Sequence, residues 1–187
     1  MVSVVSLTIP ILVAAVLVFI ASSIIHMVLP IHRSDFGRVP DEDGVMDALR
    51  RFKIPPGDYL MPRPSSPAAM KDPAFLAKRD QGPVAVMTIM PPGPPAMGMA
   101  LAQWFLYCVL VGVFAAYIAG RALTPGAHYL DVFRFVGASA FMGYSLGLLP
   151  QSIWYKKAWS ATMKSVFDGL VYALLTAGTF GWLWPSL

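Results

Sequence analysis

Four long apolar segments are the feature that most constrains how this chain can fold. They run at about residues 7–29, 99–123, 132–149 and 166–184. A helix needs about 20 apolar residues to cross the hydrocarbon core of a bilayer, and each segment is close to that length. Of all residues, 57% are hydrophobic and only 13% are charged, whereas soluble domains have about 25% charged residues. The sequence therefore predicts an all-α membrane protein, a four-transmembrane-helix bundle.

A polar insert separates the first apolar segment from the other three. We divide the chain into transmembrane helix 1 (residues 1–30), a lobe (residues 31–97) and a three-helix transmembrane region (residues 98–187). The insert holds twelve of the seventeen prolines, which favours extended, loop-rich structure. Short helices are predicted at about residues 40–52 and from Asp72-Pro73 to Arg79. The β-rich run at residues 84–90 is predicted to pair with residues 58–61, so the lobe is small, mixed and proline-rich.

The charges that flank the apolar segments predict the orientation. No charged side chain precedes the first apolar run, unlike in a secretory signal peptide, so this run is predicted to be a retained helix. Arg33 and Arg38 follow it, and Lys156, Lys157 and Lys164 lie between the third and fourth segments. Since basic residues concentrate on the cytoplasmic side, the lobe is predicted to be cytoplasmic and both termini to be outside.

Small residues recur at every fourth position on the last three apolar segments. Such a stripe lets neighbouring helices approach closely in lipid. The stripes are predicted to close the protein's own bundle, or to bind other membrane subunits or a second copy of the chain. The first segment has no stripe and is predicted to pack peripherally. The helix-packing residues are Gly112, Ala116 and Gly120, then Ser139, Gly143 and Gly147, then Gly169, Ala173, Ala177 and Gly181.

Polar residues inside the apolar segments are few, and two of them are predicted to meet. With the topology above, His26 and Asp168 lie at a similar depth near the cytoplasmic side. A histidine paired with a carboxylate can carry protons or hold a ligand. Alternatively, each side chain reaches the headgroup region separately. His32 and His128 fall in predicted loops, so a haem with two histidine ligands is not expected.

A methionine cluster offers a weaker hypothesis of a metal site. Met87, Met90, Met97 and Met99 precede the second apolar segment, and thioethers are ligands that Cu(I) accepts. The alternative is that these flexible side chains fill gaps in an irregular lobe.

Several function classes lack their sequence signatures. The single cysteine, Cys108, excludes an internal disulfide and a CxxC site. Neither a zinc-protease HExxH, a nucleophile elbow, a Walker A motif nor a dinucleotide fingerprint occurs. The net charge of +4 is modest, so no nucleic-acid partner is predicted. No cofactor is predicted either, and an enzyme is not favoured.

Parts of the chain resemble a group of bacterial multi-pass inner-membrane proteins that has no assigned activity. The resemblance implies a bacterial inner-membrane location and no mechanism. We predict a non-catalytic structural or accessory subunit of a membrane assembly. The alternative is a membrane protein that handles a small molecule or a metal, with Cu(I) as one candidate. The segments that carry the resemblance are residues 26–30, 32–35, 40–42, 71–73, 92–98, 152–155 and 167–169.

Overall fold

The structure, a computed structural model, describes residues 1–186 and is 68% helical. The helices are α1 (Thr8–Ser23), α2 (Glu42–Arg50), α3 (Pro73–Gln81), α4 (Met97–Ala122), α5 (Tyr129–Ser145), α6 (Leu149–Tyr155) and α7 (Trp159–Trp182), and the strands are β1 (Gly57–Met61) and β2 (Ala85–Ile89). They form two compact units. The helical unit comprises Met1 to Gly37 and the chain from Ala96 onward, and the lobe comprises Arg38–Pro95.

Three helical segments are long and apolar enough to cross a membrane: Val5–Val28, Met97–Ala122 and Tyr129–Tyr155. α7 has 24 residues, which corresponds to roughly 36 Å of helix, but it is less apolar. Its buried side chains include Thr162, Asp168, Thr176 and Thr179. α7 is therefore not among the three candidate spans, and its polar residues lie on its buried face.

The four long helices alternate in direction. At one end of α1 the Val2 amide donates to the Gly120 carbonyl at the end of α4, over 2.8 Å. At the other end the Trp104 indole near the start of α4 donates to Ser22 Oγ, also over 2.8 Å. α5 runs back along α4 and packs on α7, and the Gly126 amide donates to the Pro185 carbonyl over 2.8 Å. Val2 and Pro185 therefore lie at the same end of the helical unit.

Small residues of α4, α5 and α7 lie where other helices of the same unit pack closest. A Cβ at Gly112 would lie 3.2 Å from the Ile11 side chain of α1, and one at Gly181 would lie 2.6 Å from the Tyr129 ring. Two residues of the predicted stripes are placed differently, since Ser139 Oγ donates to Phe135 of its own helix and Gly147 has open space beside it. The other close contacts are those of Gly120 with Val2, Gly143 with Val111 and Gly169 with Ser145. Ala116, Ala173 and Ala177 are at most 2% exposed.

α1 is not peripheral, contrary to the sequence prediction. Its residues Ile11, Ala14, Ala15 and Val18 are at most 5% exposed, and the helix packs on both α4 and α7. The prediction was wrong because it took close packing to require small residues on both helices. Here Gly112 of α4 contacts Ile11 of α1, and the buried Ala14 and Ala15 of α1 pack closely without forming a regular stripe.

The close packing around Ala173 predicts that a larger side chain there destabilises the helical unit. Ala173→Leu is expected to lower the free energy of unfolding by about 1–3 kcal/mol, because added methylenes in a closely packed interior force side chains and backbone apart. Denaturation in mild detergent measures it. Ala102→Leu, the same substitution at an exposed position of α4, is the control and should change stability by less than about 0.5 kcal/mol. Equal effects at the two positions would contradict the packing.

The lobe contains the predicted hairpin and both predicted helices. β1 pairs antiparallel with β2, with Tyr59 opposite Met87, which confirms the predicted pairing. Asp41 and Asp72 cap α2 and α3 by accepting from backbone amides, as expected of acidic residues at helix starts. No residue between Arg38 and Pro95 is buried, and this whole stretch is described. The lobe therefore has no buried core of its own.

Candidate functional site

Both His26 and His32 lie at the end of the helical unit where α1 stops. After Ser23 the helix widens into a π-helical turn at Ile24–Val28, and a 3-10 turn follows at Pro30–His32. Proline has no amide hydrogen to donate, so Pro30 ends the helix. The chain folds back there, and the His32 ring packs edge-on against the His26 ring with centroids 4.5 Å apart. π-helical turns are frequent at functional sites.

Asp168 of α7 completes the cluster. Its carboxylate is only 5% exposed, and Oδ2 lies 2.9 Å from His32 Nε2. The two atoms are close but not aligned as a hydrogen bond, so within residues 1–186 neither of these buried atoms has a hydrogen-bond partner. A buried polar atom without a partner costs about 1–3 kcal/mol. The two atoms are too close for another group to lie between them, so a proton shared by both or an ion bound beside both would satisfy them.

Asp35 holds the other nitrogen of His32. Its Oδ2 is 2.6 Å from His32 Nδ1, and its Oδ1 accepts from Lys164 Nζ over 2.8 Å. Hydrogen bonds from Lys164 and then from His32 hold the pKa of Asp35 below its ordinary value. An ionised Asp35 only accepts, so Nδ1 of His32 donates to it, and Nε2 is the ring nitrogen that faces Asp168.

Lys164 fixes this turn to α7. Besides Asp35, its ammonium group donates to the Ile31 carbonyl over 2.8 Å and to Ser34 Oγ over 2.9 Å. An ammonium group has three hydrogens, so all its donors are used. These contacts explain why Ile31 to Gly37 belong to the helical unit, whereas the sequence assigned residues 31–97 to the lobe.

The pair of His32 Nε2 and Asp168 Oδ2 lies beside the His26 ring, so three side chains of metal-ligating type meet here. The ligating atoms of His26, His32 and Asp168 all lie within 4.8 Å of one another. A tetrahedral ion with bonds of about 2.1 Å holds its ligand atoms roughly 3.4 Å apart. The shortest separation, 2.9 Å, is below that value and the 4.8 Å limit is above it, so the spacing of the three ligand atoms is that of a candidate metal site.

The site predicted from the sequence contained His26 and Asp168 but not His32. A contact between His26 and Asp168 was one of two alternatives from the sequence, and the close contact of Asp168 in the structure is with His32. His32 was assigned to a loop because it lies beyond the end of the first apolar segment. The available signal was the spacing of the two histidines around Pro30, together with Lys164, one turn before Asp168 on α7.

The four methionines of the predicted Cu(I) site fall in two different units. Met87 lies on β2 and Met90 directly follows it, both in the lobe, whereas Met97 and Met99 open α4 in the helical unit. Met90, Met97 and Met99 are each at least 60% exposed. The separation leaves at most two of these thioethers in either unit.

No protein-family model, curated protein or solved structure matches the chain. What the site can do therefore follows from its own geometry.

Proposed function

We propose that this chain is a four-span membrane protein that binds a divalent transition-metal ion through His26, His32 and Asp168. The observation that carries the proposal is the cluster of three metal-ligating side chains, in which His32 Nε2 and Asp168 Oδ2 are buried 2.9 Å apart without an aligned hydrogen bond. A metal ion bound to both atoms gives each of them a partner. This is the metal-handling alternative that was predicted from the sequence. The proposed set of ligands now includes His32 and omits the four methionines.

The surroundings of His32 support this proposal. Metal-binding histidines commonly donate their second ring hydrogen to a carboxylate, which fixes the ring and makes the free nitrogen a better ligand. Asp35 occupies that position, and Lys164 balances its charge. Two imidazoles and one carboxylate suit Zn²⁺ or Fe²⁺ better than soft Cu(I). Three protein ligands also leave a coordination position open, as in catalytic rather than structural zinc sites.

The alternation of helix directions supports a fourth span. α7 is as long as a membrane-crossing helix and packs on both α1 and α5. Since Val2 and Pro185 lie at the same end of the helical unit, an even number of crossings fits the arrangement. The basic residues at the opposite end support a cytoplasmic metal site with both termini outside, in a bacterial inner membrane.

Cysteine labelling tests this topology. In Cys108→Ala protein, Ser66→Cys in the lobe is expected to resist a membrane-impermeant maleimide in intact cells, and Ala127→Cys in the α4–α5 loop is expected to react. Permeabilised cells are the control, in which both positions should react. Labelling of Ser66→Cys from outside would contradict the orientation, and protection of Ala127→Cys in intact cells would contradict the crossing of α4.

A titration of the purified protein tests metal binding. Protein stripped with a chelator should bind one equivalent of Zn²⁺ or Co²⁺, and Co²⁺ should produce visible absorption bands of a nitrogen-and-oxygen site. Affinity should fall as the pH is lowered, because imidazole must be neutral to bind a metal. Failure to bind either ion above the background of detergent alone would reject the proposal.

A second candidate is the accessory subunit predicted from the sequence. A shallow groove of about 280 Å³ lies between α5 and α7, and Gly137, Ala138 and Ala173 are among its lining residues. Small residues beside such a groove allow a helix of another subunit, or of a second copy, to approach closely. If a partner helix binds there, Ala138→Leu should release the proteins that co-purify in mild detergent, or should convert a dimer to a monomer.

A further inference from the structure

A largely apolar cavity of about 510 Å³ adjoins the metal site within the helical unit. It lies between the end of α1 and the start of α4, and His26 forms part of its wall. His26 therefore belongs both to the cavity and to the metal-binding cluster. The other lining residues include Ser23, Met97, Ala100, Leu101 and Trp104.

The polar side chains on the wall other than His26 already have hydrogen-bond partners. Ser22 Oγ accepts from the Trp104 indole and donates to the Phe19 carbonyl. Ser23 Oγ also donates to the Phe19 carbonyl. Of the lining residues, His26 is thus the one titratable group, and it is also a member of the metal-binding cluster. A ligand of this cavity needs an apolar body and one polar end next to His26.

The net charge of the metal-loaded site indicates what the polar end of the ligand is. A divalent ion bound by two neutral imidazoles and the Asp168 carboxylate leaves one net positive charge, because Asp35 and Lys164 balance each other. An oxygen donor with one negative charge neutralises the site and fills the open coordination position. A fatty carboxylate has this charge, whereas a phosphate monoester carries about 1.5–2 negative charges at neutral pH. Cavities of 300–1,000 Å³ hold a molecule of drug size, which fits one alkyl chain rather than a two-chain lipid.

We propose that this cavity binds a single-chain fatty acid, with its alkyl chain along Leu101 and Trp104 and its carboxylate on the metal ion beside His26. The inference depends on the metal site of the proposed function and adds its ligand. The widened π-helical turn at Ile24–Val28 places His26 where the cavity and the metal site meet.

Co²⁺-loaded protein in mild detergent tests the proposal, with decanoate as the probe. Decanoate should shift the visible Co²⁺ bands in a saturable way. Acetate has the same head group without the chain, and it should bind at least about 100-fold more weakly, because it buries no methylenes in the cavity. Decanol has the chain without the charge and should leave the bands unchanged. Decyl phosphate should bind more weakly than decanoate.

Two matched variants locate the binding. Leu101→Trp fills the cavity and should weaken decanoate binding at least about tenfold, while Co²⁺ still binds. Leu110→Trp, at another exposed leucine of α4, should leave decanoate binding within about twofold of the unsubstituted protein. Equal binding of decanoate and acetate, a similar response to decanol, or an unchanged affinity in Leu101→Trp would overturn the fatty-acid proposal alone. Failure of the unsubstituted protein to bind Co²⁺ would overturn the metal site and this inference together.

Discussion

Replacing His32 with alanine is expected to weaken binding of Zn²⁺ by more than about 100-fold. The loss of a residue that only orients a ligand typically costs 10–100-fold in metal affinity, and His32 is a ligand in the proposed site. It also lies 2.9 Å from the Asp168 oxygen, so removing it eliminates the closest pair of ligand atoms. Zn²⁺ affinity, measured by competition with a chromophoric chelator in detergent, reports the change.

A series of variants separates ligands from orienting residues. Asp168→Asn should weaken Zn²⁺ binding about as much as His32→Ala, since both remove a ligand. Asp35→Asn should cost about 10–100-fold, because it releases the His32 ring without removing a ligand. His128→Ala is the control, since His128 caps the start of α5 and should leave the affinity unchanged. Asp35→Asn keeps nearly the shape of the native residue, so it remains informative even if His32→Ala protein unfolds.

Equal Zn²⁺ affinities for the unsubstituted protein and the folded His32→Ala variant would contradict the assignment of His32 as a ligand. A loss in His128→Ala as large as that in His32→Ala would place the metal elsewhere in the chain.

The long helices were predictable because each contains a continuous run of apolar residues. Lipid and protein interior both favour such runs, so the pattern alone indicated residues 99–123 and 132–149, where the structure has Met97–Ala122 and Tyr129–Tyr155. The hairpin and the two capped helices of the lobe were predictable for a similar reason, since their signals are local. The role of α1 was not predictable from its own residues, because its close packing depends also on Gly112 of α4.

The site was only half predictable because its geometry depends on a reversal of the chain. Depth along the helices placed His26 near Asp168, and both do belong to one cluster. The position of His32 beside Asp168 depends on the π-helical turn and on Pro30. It depends also on the hydrogen bonds that Lys164 donates to Ile31, Ser34 and Asp35. These contacts join residues about 130 positions apart in sequence, which periodicity does not reveal.

The second large effect is expected in the stability of the metal-free protein. His32→Ala should lower the free energy of unfolding by about 3 kcal/mol, because it leaves the buried Asp168 carboxylate without its nearest compensating group. In protein that already carries Asp168→Asn, the same substitution should cost much less. The difference between the two costs is the coupling energy, expected at about 1–3 kcal/mol for residues in contact.

A double-mutant cycle in detergent with a chelator present measures this coupling, and two further cycles calibrate it. His26→Ala with Asp168→Asn should couple more weakly, because His26 is exposed and packs on the His32 ring. Asp131 and Arg134 form a solvent-exposed pair 3.6 Å apart and should couple by at most about 1 kcal/mol. Additivity within about 0.5 kcal/mol for His32 and Asp168 would mean that they do not interact. A larger coupling for His26 than for His32 would instead restore the pairing of His26 with Asp168, because coupling energy follows the contact that is actually made.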